Sequence, residues 1–174
     1  YVKELVQPTF AEQISAIGIV AVVFDYRCLG QSGGEPRQRI NPWDQIEDYK
    51  NAISFVSGLD EVDAERIGVW GISYSGGHVI QLAATDPRVK AMASVVPVIN
   101  GYQNLRLAHG TGGFRRLVAA ISDDRSQRWA GAPDGVLSHN PQGPEGLSTW
   151  PFPTSADMFW ELKDSEAPNY VGHA

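Results

Sequence analysis

The stretch Gly71-Ile72-Ser73-Tyr74-Ser75-Gly76-Gly77 places a serine hydroxyl among small residues. It follows a short apolar run and precedes a run with helical spacing, so the pattern predicts a strand, a tight turn and a helix. A serine on such a turn projects away from its own backbone and lies beside the free N–H groups of the helix start. We therefore expect Ser73 to be a nucleophile and the backbone N–H of Tyr74 to stabilise an oxyanion.

Ser75 is the alternative nucleophile in the same stretch, because Ser73 and Gly77 flank it. If Ser75 were the nucleophile, the pattern would not explain why residue 71 is a glycine. A glycine two residues before Ser73 instead allows the strained turn to form without a side-chain collision. Ser73 is therefore favoured.

The elements that must position this turn follow the order strand, helix, strand, helix, strand, which predicts a right-handed parallel α/β layer. Apolar β-branched runs predict the strands, and apolar residues at helical spacing predict the helices. The predicted strands cover residues 19–24, 66–70 and 89–99, and the predicted helices cover residues 8–17, 42–58 and 76–87. The predicted fold class is α/β, with a mostly parallel sheet and flanking helices.

Residues 100–174 differ in character, with many glycines and prolines and two predicted helices. One helix carries Phe114, Leu117 and Ile121, and the other follows Ser155. The irregular segment between them, residues 131–153, has a length typical of a lid or binding loop. We expect residues 1–99 to form a partial α/β core and residues 100–174 to form an incomplete helix-and-loop cap.

The composition excludes several classes of function. The 174 residues carry a formal charge of −6, with a pI near 5.1, which argues against a nucleic-acid partner or an anionic membrane surface. The sequence contains no run of about 18 apolar residues, so no membrane span is predicted. The single cysteine, Cys28, excludes an internal disulfide and makes a reducing, cytoplasmic location the expectation. No motif implies a cofactor, and the histidine spacing does not predict a metal site.

The serine turn resembles the nucleophile elbow of the α/β-hydrolase superfamily, Gly-x-Ser-x-Gly, with Ser75 in place of the last glycine. This variant resembles acyl-peptide esterases, cocaine-type esterases and X-Pro dipeptidyl-peptidases. Residues 25–34 resemble the Asp-x-Arg-Gly-x-Gly-x-Ser loop of the superfamily, with Cys28 at a usual glycine position. By that resemblance Asp25, Arg27 and Ser32 are structural residues. With Gly-Glu-Pro-Arg at residues 34–37, the chain further resembles dienelactone hydrolases and fungal polyketide thiohydrolases or transferases.

The resemblance implies a triad in the order Ser, Asp or Glu, and His. His78 follows Ser73 on the same predicted helix and is expected to pack there, while His109, His139 and His173 lack a strand-end carboxylate nearby in sequence. We expect the triad acid and histidine, the second oxyanion donor and the strand neighbouring residues 19–24 to lie outside this chain. The chain then resembles the middle of a longer hydrolase.

These features lead to a serine hydrolase that cleaves an ester, thioester or related acyl bond of a small molecule through an acyl-enzyme. Two alternatives remain open: an X-Pro or acyl-peptide peptidase, and a non-catalytic fragment of the same fold that binds a ligand or partner. A homo-oligomer or a complementing chain segment is also left open.

Overall fold

The computed structural model describes residues 2–141, 143 and 146–172, excluding the side chains of residues 153–156. Contacts divide the chain into two compact units, Tyr1–Ile99 and Asn100–Ala174. In chain order the regular elements of the described residues are α1 (Gln7–Ala16), α2 (Pro42–Val56), β1 (Gly68–Ile72), α3 (Tyr74–Thr85), β2 (Ala91–Val95), α4 (Gly101–Trp129) and α5 (Pro153–Ser165). A 3₁₀ turn, Ala64–Arg66, precedes β1.

The first unit is built on a parallel strand pair that α3 connects. β1 and β2 run parallel in a register that pairs Gly68 with Ala91 and Ile72 with Val95. Such a pair requires a crossover, which α3 provides by packing against both strands. The prediction of an α/β fold with a parallel sheet is confirmed.

The core of this unit lies between α2, β1 and α3. Ile53, Ile67, Val69 and Val79 are buried together. The predicted start of α2 is also confirmed, because Asn41 Oδ1 accepts a hydrogen bond of 3.0 Å from the Trp43 backbone N–H. This cap and the proline at the first helical position fix the helix that supports β1.

The prediction of a buried strand over residues 19–24 is wrong. The segment has no strand assignment, and Ile19, Val20 and Val22 are 53%, 55% and 44% exposed. Its β-branched apolar run favours an extended backbone, but a strand also requires a hydrogen-bonded neighbour. No strand of the described residues pairs with it.

The strand predicted over residues 89–99 is shorter and more exposed than expected. β2 covers only Ala91–Val95, and four of its five residues are exposed. The described sheet has two strands, so β2 has a neighbour on one edge only. The apolar run alone could not show where this pairing stops.

The second unit contains the two predicted helices. α4 includes the predicted positions 114–121 but begins earlier, and it is kinked at Gly110, whose φ of 62° and ψ of 178° are not helical. Glycine reaches this conformation without a Cβ clash. The described residues among 131–152 are mostly irregular, as predicted, and α5 follows them. Among the described residues, none of the helices combines the length and the hydrophobicity that a transmembrane span requires.

Candidate active site

Ser73 lies at the sharp turn between β1 and α3. Its φ of 57° and ψ of −113° are unusual for a residue with a Cβ, and such conformations persist only where the surrounding structure holds them. Two backbone hydrogen bonds of 2.9 Å hold this turn, from Ser73 N–H to the Val95 carbonyl and from Val98 N–H to the Ser73 carbonyl. The predicted strand, turn and helix are therefore present.

The three glycines around Ser73 leave space that the turn requires. A Cβ on Gly71 would lie 2.6 Å from the Ser75 carbonyl carbon and closer still to its oxygen. A Cβ on Gly76 would lie 3.0 Å from Pro97 Cα, and one on Gly77 would collide with the Val98 carbonyl oxygen. The turn and the approach of α3 to the segment after β2 thus depend on glycine at each position.

The two candidate serines differ in what their hydroxyl groups do. Ser75 Oγ donates to the Ile72 carbonyl at 2.9 Å and accepts from the Ile72 N–H at 3.1 Å, so it is engaged inside the turn. Ser73 is exposed, and its hydroxyl makes no hydrogen bond within the described part of the chain. The geometry favours Ser73 over Ser75 as the residue that can meet a substrate.

Tyr74 is the first residue of α3. The first N–H groups of a helix lack an intrahelical acceptor and carry the positive end of its dipole. The Tyr74 N–H therefore has the character that an oxyanion donor needs. Its role as that donor stays a prediction.

The only histidine of the first unit, His78, is 4% exposed. Its Nδ1 lies 3.3 Å from the Tyr26 hydroxyl, and its ring contacts the Tyr74 ring at 4.8 Å between centroids. Burial lowers the pKa of His78 to about 4, so the imidazole is neutral at pH 7. The expected packing role agrees with these contacts.

The remaining histidines belong to the second unit. His139 Nδ1 lies 3.0 Å from Thr149 Oγ1, and burial lowers its pKa to about 4. His109 Nε2 is buried without a hydrogen-bond partner among the described groups. His173 lies outside the described residues. No triad base or acid is assigned to Ser73 from these contacts.

The loop at residues 25–34 has the structural role expected of it. The buried Asp25 carboxylate accepts hydrogen bonds from the Lys3 backbone N–H at 2.6 Å and from the Gln31 N–H at 2.9 Å. Ser32 Oγ donates to the Asp25 carbonyl at 2.6 Å. Cys28, at the usual glycine position, has a φ of 66°, which explains why glycine suits that position.

The sequence model of the X-Pro dipeptidyl-peptidase (S15) family matches residues 4–131, which include the serine turn, both strands and the loop at residues 25–34. The chain belongs to this S15 family. The quorum-quenching protein AidA of Acinetobacter baumannii is 34% identical to this S15-family chain over 162 residues, 93% of the chain and 53% of the relative. The thiohydrolase aneE of Aspergillus aculeatus is 45% identical over 98 residues, 56% of the chain and 31% of the relative.

A solved structure supports the same fold for the S15-family chain. The crystal structure of the alpha/beta hydrolase GrgF from Penicillium sp. sh18 aligns with a TM-score of 0.70 and 25% sequence identity, covering 99% of this chain and 56% of that one. The predicted resemblance to α/β hydrolases is confirmed. The chain spans about half the length of AidA and of GrgF.

Sequence reasoning missed two tyrosines next to the serine turn of the S15-family chain. Tyr49, on α2, donates from its hydroxyl to the Trp70 carbonyl of β1 at 2.9 Å. Tyr26 follows the extended segment and contacts His78. In the sequence, Tyr26 is the middle residue of the Asp-x-Arg loop and Tyr49 lies on the apolar face of a helix. A tyrosine in either position more often serves only in packing, so neither position indicated a contact with the turn.

The described residues contain no group of three His, Cys, Asp or Glu side chains that could hold a metal ion.

Proposed function

We propose that Ser73 is the nucleophile of a serine hydrolase that cleaves an ester, thioester or related acyl bond of a small molecule. The observation that carries the proposal is the backbone of Ser73, held at a positive φ between β1 and α3 with its hydroxyl exposed. A hydroxyl presented in this way can approach a carbonyl carbon without obstruction from its own turn.

In the proposed reaction a general base takes the proton of Ser73 Oγ while the oxygen attacks the acyl carbon. The carbonyl oxygen becomes an oxyanion and accepts a hydrogen bond from the Tyr74 N–H. Collapse expels the alcohol or thiol leaving group, which receives a proton, and leaves the acyl group on Ser73. Water then attacks this ester, releases the acid and restores the serine. The base and its orienting carboxylate are not assigned to described residues.

The relatives support this reaction class. The name of the 45% identical relative is thiohydrolase, and the matching structure is an alpha/beta hydrolase. An acyl thioester is therefore the first substrate class to test.

The test is covalent labelling of the whole protein with a fluorophosphonate, with the modified peptide mapped by mass spectrometry. We expect one adduct per chain on Ser73, no adduct in S73A, and an adduct in S75A that is still on Ser73. S75A is the matched control because it removes a neighbouring hydroxyl that is engaged inside the turn. Labelling that moves to Ser75, or that persists in S73A, would contradict the assignment.

A second candidate is an X-Pro or acyl-peptide peptidase, because the family model that matches residues 4–131 is that of X-Pro dipeptidyl-peptidases. A panel that compares aryl esters and acyl thioesters with proline-containing dipeptide amides separates the two. Preferential cleavage of the amides would replace the esterase proposal with the peptidase. A protein that neither labels nor turns over any of these substrates would instead be a non-catalytic binding protein.

A further inference from the structure

A cluster of aromatic side chains is hydrogen-bonded to the strand before the serine turn and to the helix after it. The rings of Phe24, Tyr26 and Tyr49 pack edge to face, with centroids 5.2 to 5.8 Å apart. Burial raises the pKa of Tyr26 and of Tyr49, so both phenols stay protonated at neutral pH. The cluster therefore presents neutral hydroxyl groups to the turn from a closely packed apolar site.

Two hydroxyl groups of this cluster reach the two sides of the turn. Tyr49 donates to the Trp70 carbonyl on β1, three residues before Ser73. Tyr26 shares a hydrogen bond with His78 on α3, five residues after Ser73. The strand that enters the turn and the helix that leaves it are thus each tied to the same aromatic cluster.

His78 contacts both Tyr26 and Tyr74, so a restraint on the His78 ring also restrains Tyr74. Its ring packs against the Tyr74 ring at 4.8 Å and an interplanar angle of 69°, while its Nδ1 is held by Tyr26 at 3.3 Å. Tyr74 is 40% exposed, so its ring is supported from the inside and open on the other side. Holding the His78 ring in one orientation therefore restricts the residue that carries the proposed oxyanion donor.

We propose that Tyr26 and His78 form a positioning pair, which fixes Tyr74 and thereby the direction of its backbone N–H toward the acyl oxygen on Ser73. This inference rests on the proposed hydrolase function. Neither residue touches the substrate in this proposal, and neither exchanges a proton with it. The pair acts through the placement of one hydrogen-bond donor, which must be correct to within a fraction of an ångström for full effect.

The test measures fluorophosphonate labelling of Ser73 in the whole protein and separates the probe affinity from the maximal rate constant. Y26F removes only the hydroxyl oxygen, and H78F keeps a ring while removing Nδ1. We expect each variant to lower the maximal rate constant about tenfold, with little change in probe affinity. The maximal rate constant of the double variant Y26F/H78F is expected to fall no further than that of either single variant, because each substitution breaks the same Tyr26–His78 hydrogen bond.

Two further variants control for folding. Y102F removes an exposed hydroxyl on α4 and is expected to label at the wild-type rate. H78N places a polar group near the position of Nδ1 and is expected to recover part of the rate lost in H78F. The comparison of H78N with H78F also provides the test if Y26F does not fold.

The possible outcomes are distinct. Unchanged rate constants in Y26F and H78F, equal rates in H78N and H78F, or fully additive losses in the double variant would overturn the pairing. A lowered unfolding temperature with an unchanged rate constant would assign the two residues to stability alone and would also overturn it. Absence of a wild-type adduct on Ser73 would instead refute the proposed function on which the pairing rests.

Discussion

Substitution of Gly71 by alanine tests whether the local geometry of the turn determines the reactivity of Ser73. The added Cβ would lie 2.6 Å from the Ser75 carbonyl carbon and 3.0 Å from the Gly76 nitrogen, whereas ordinary contacts begin near 3.4 Å. These are backbone atoms of the turn itself, so a side-chain rotation cannot relieve the clash. The segment after Ser73 has to move by at least roughly 0.8 Å to accommodate the methyl group, because the Ser75 carbonyl oxygen lies closer still than the carbon.

A displacement of this size affects both the proposed nucleophile, Ser73, and the proposed oxyanion donor, the Tyr74 N–H. It shifts the Tyr74 N–H relative to Ser73 Oγ, and misplacement by about 1 Å can cost on the order of 10²-fold in rate. We therefore expect G71A to lower the maximal rate constant of Ser73 labelling about a hundredfold. Overpacking should also lower the free energy of unfolding by about 1–3 kcal/mol.

The matched control is G68A, in the same strand. A Cβ at Gly68 would meet the Ala91 oxygen at 3.5 Å and the Ala91 Cβ at 3.8 Å, which are ordinary contact distances. Labelling of G68A is expected within about twofold of the wild type. Near-wild-type labelling of folded G71A would refute the argument that this turn sets the reactivity of Ser73.

Two further predictions concern stability, measured by urea unfolding of the whole protein. Because burial lowers the pKa of His78 to about 4, the unfolded state binds a proton more readily than the folded state between pH 6.5 and 4, so stability falls as the pH is lowered through that window. In H78F the free energy of unfolding should therefore decrease by about 3 kcal/mol less over this pH range than in the wild type. The phenols that contact His78, those of Tyr26 and Tyr74, stay neutral over the whole range. The same pH dependence in H78F and in the wild type would contradict the assigned burial of the imidazole. D25N should lower the free energy of unfolding by about 3 kcal/mol, because the Asp25 carboxylate is 2% exposed and accepts three hydrogen bonds from Lys3 and Gln31. The exposed control D134N should change it by less than about 1 kcal/mol, and equal effects of the two substitutions would count against a structural role of the loop.

The serine turn could be predicted from the sequence because its determinants are local. The glycines at 71, 76 and 77 each avoid a collision with atoms of the turn or of the segment after β2. The start of α2 could be predicted for the same reason, since Asn41 caps a helix that begins one residue later. Where neighbouring residues in the sequence are also the interacting ones, the pattern was sufficient.

The failures involve interactions with distant parts of a chain. Residues 19–24 have the composition of a strand, but pairing depends on a neighbour that the segment itself does not specify. The contact of Tyr26 with His78 joins residues 52 positions apart, so no periodicity could reveal it. The base and acid that Ser73 requires were not predicted from the sequence, and the contacts of the described residues do not assign them either.

The measurement that tests the central claim most directly is the capture of an acyl-enzyme. The whole protein is mixed with an activated acyl thioester, quenched in acid within the first turnover, and analysed by mass spectrometry. We expect the mass of one acyl group on the peptide that contains Ser73, a matching burst of released thiol, and neither signal in S73A. Turnover with no burst, or with an acyl group on any residue other than Ser73, would contradict the proposed mechanism.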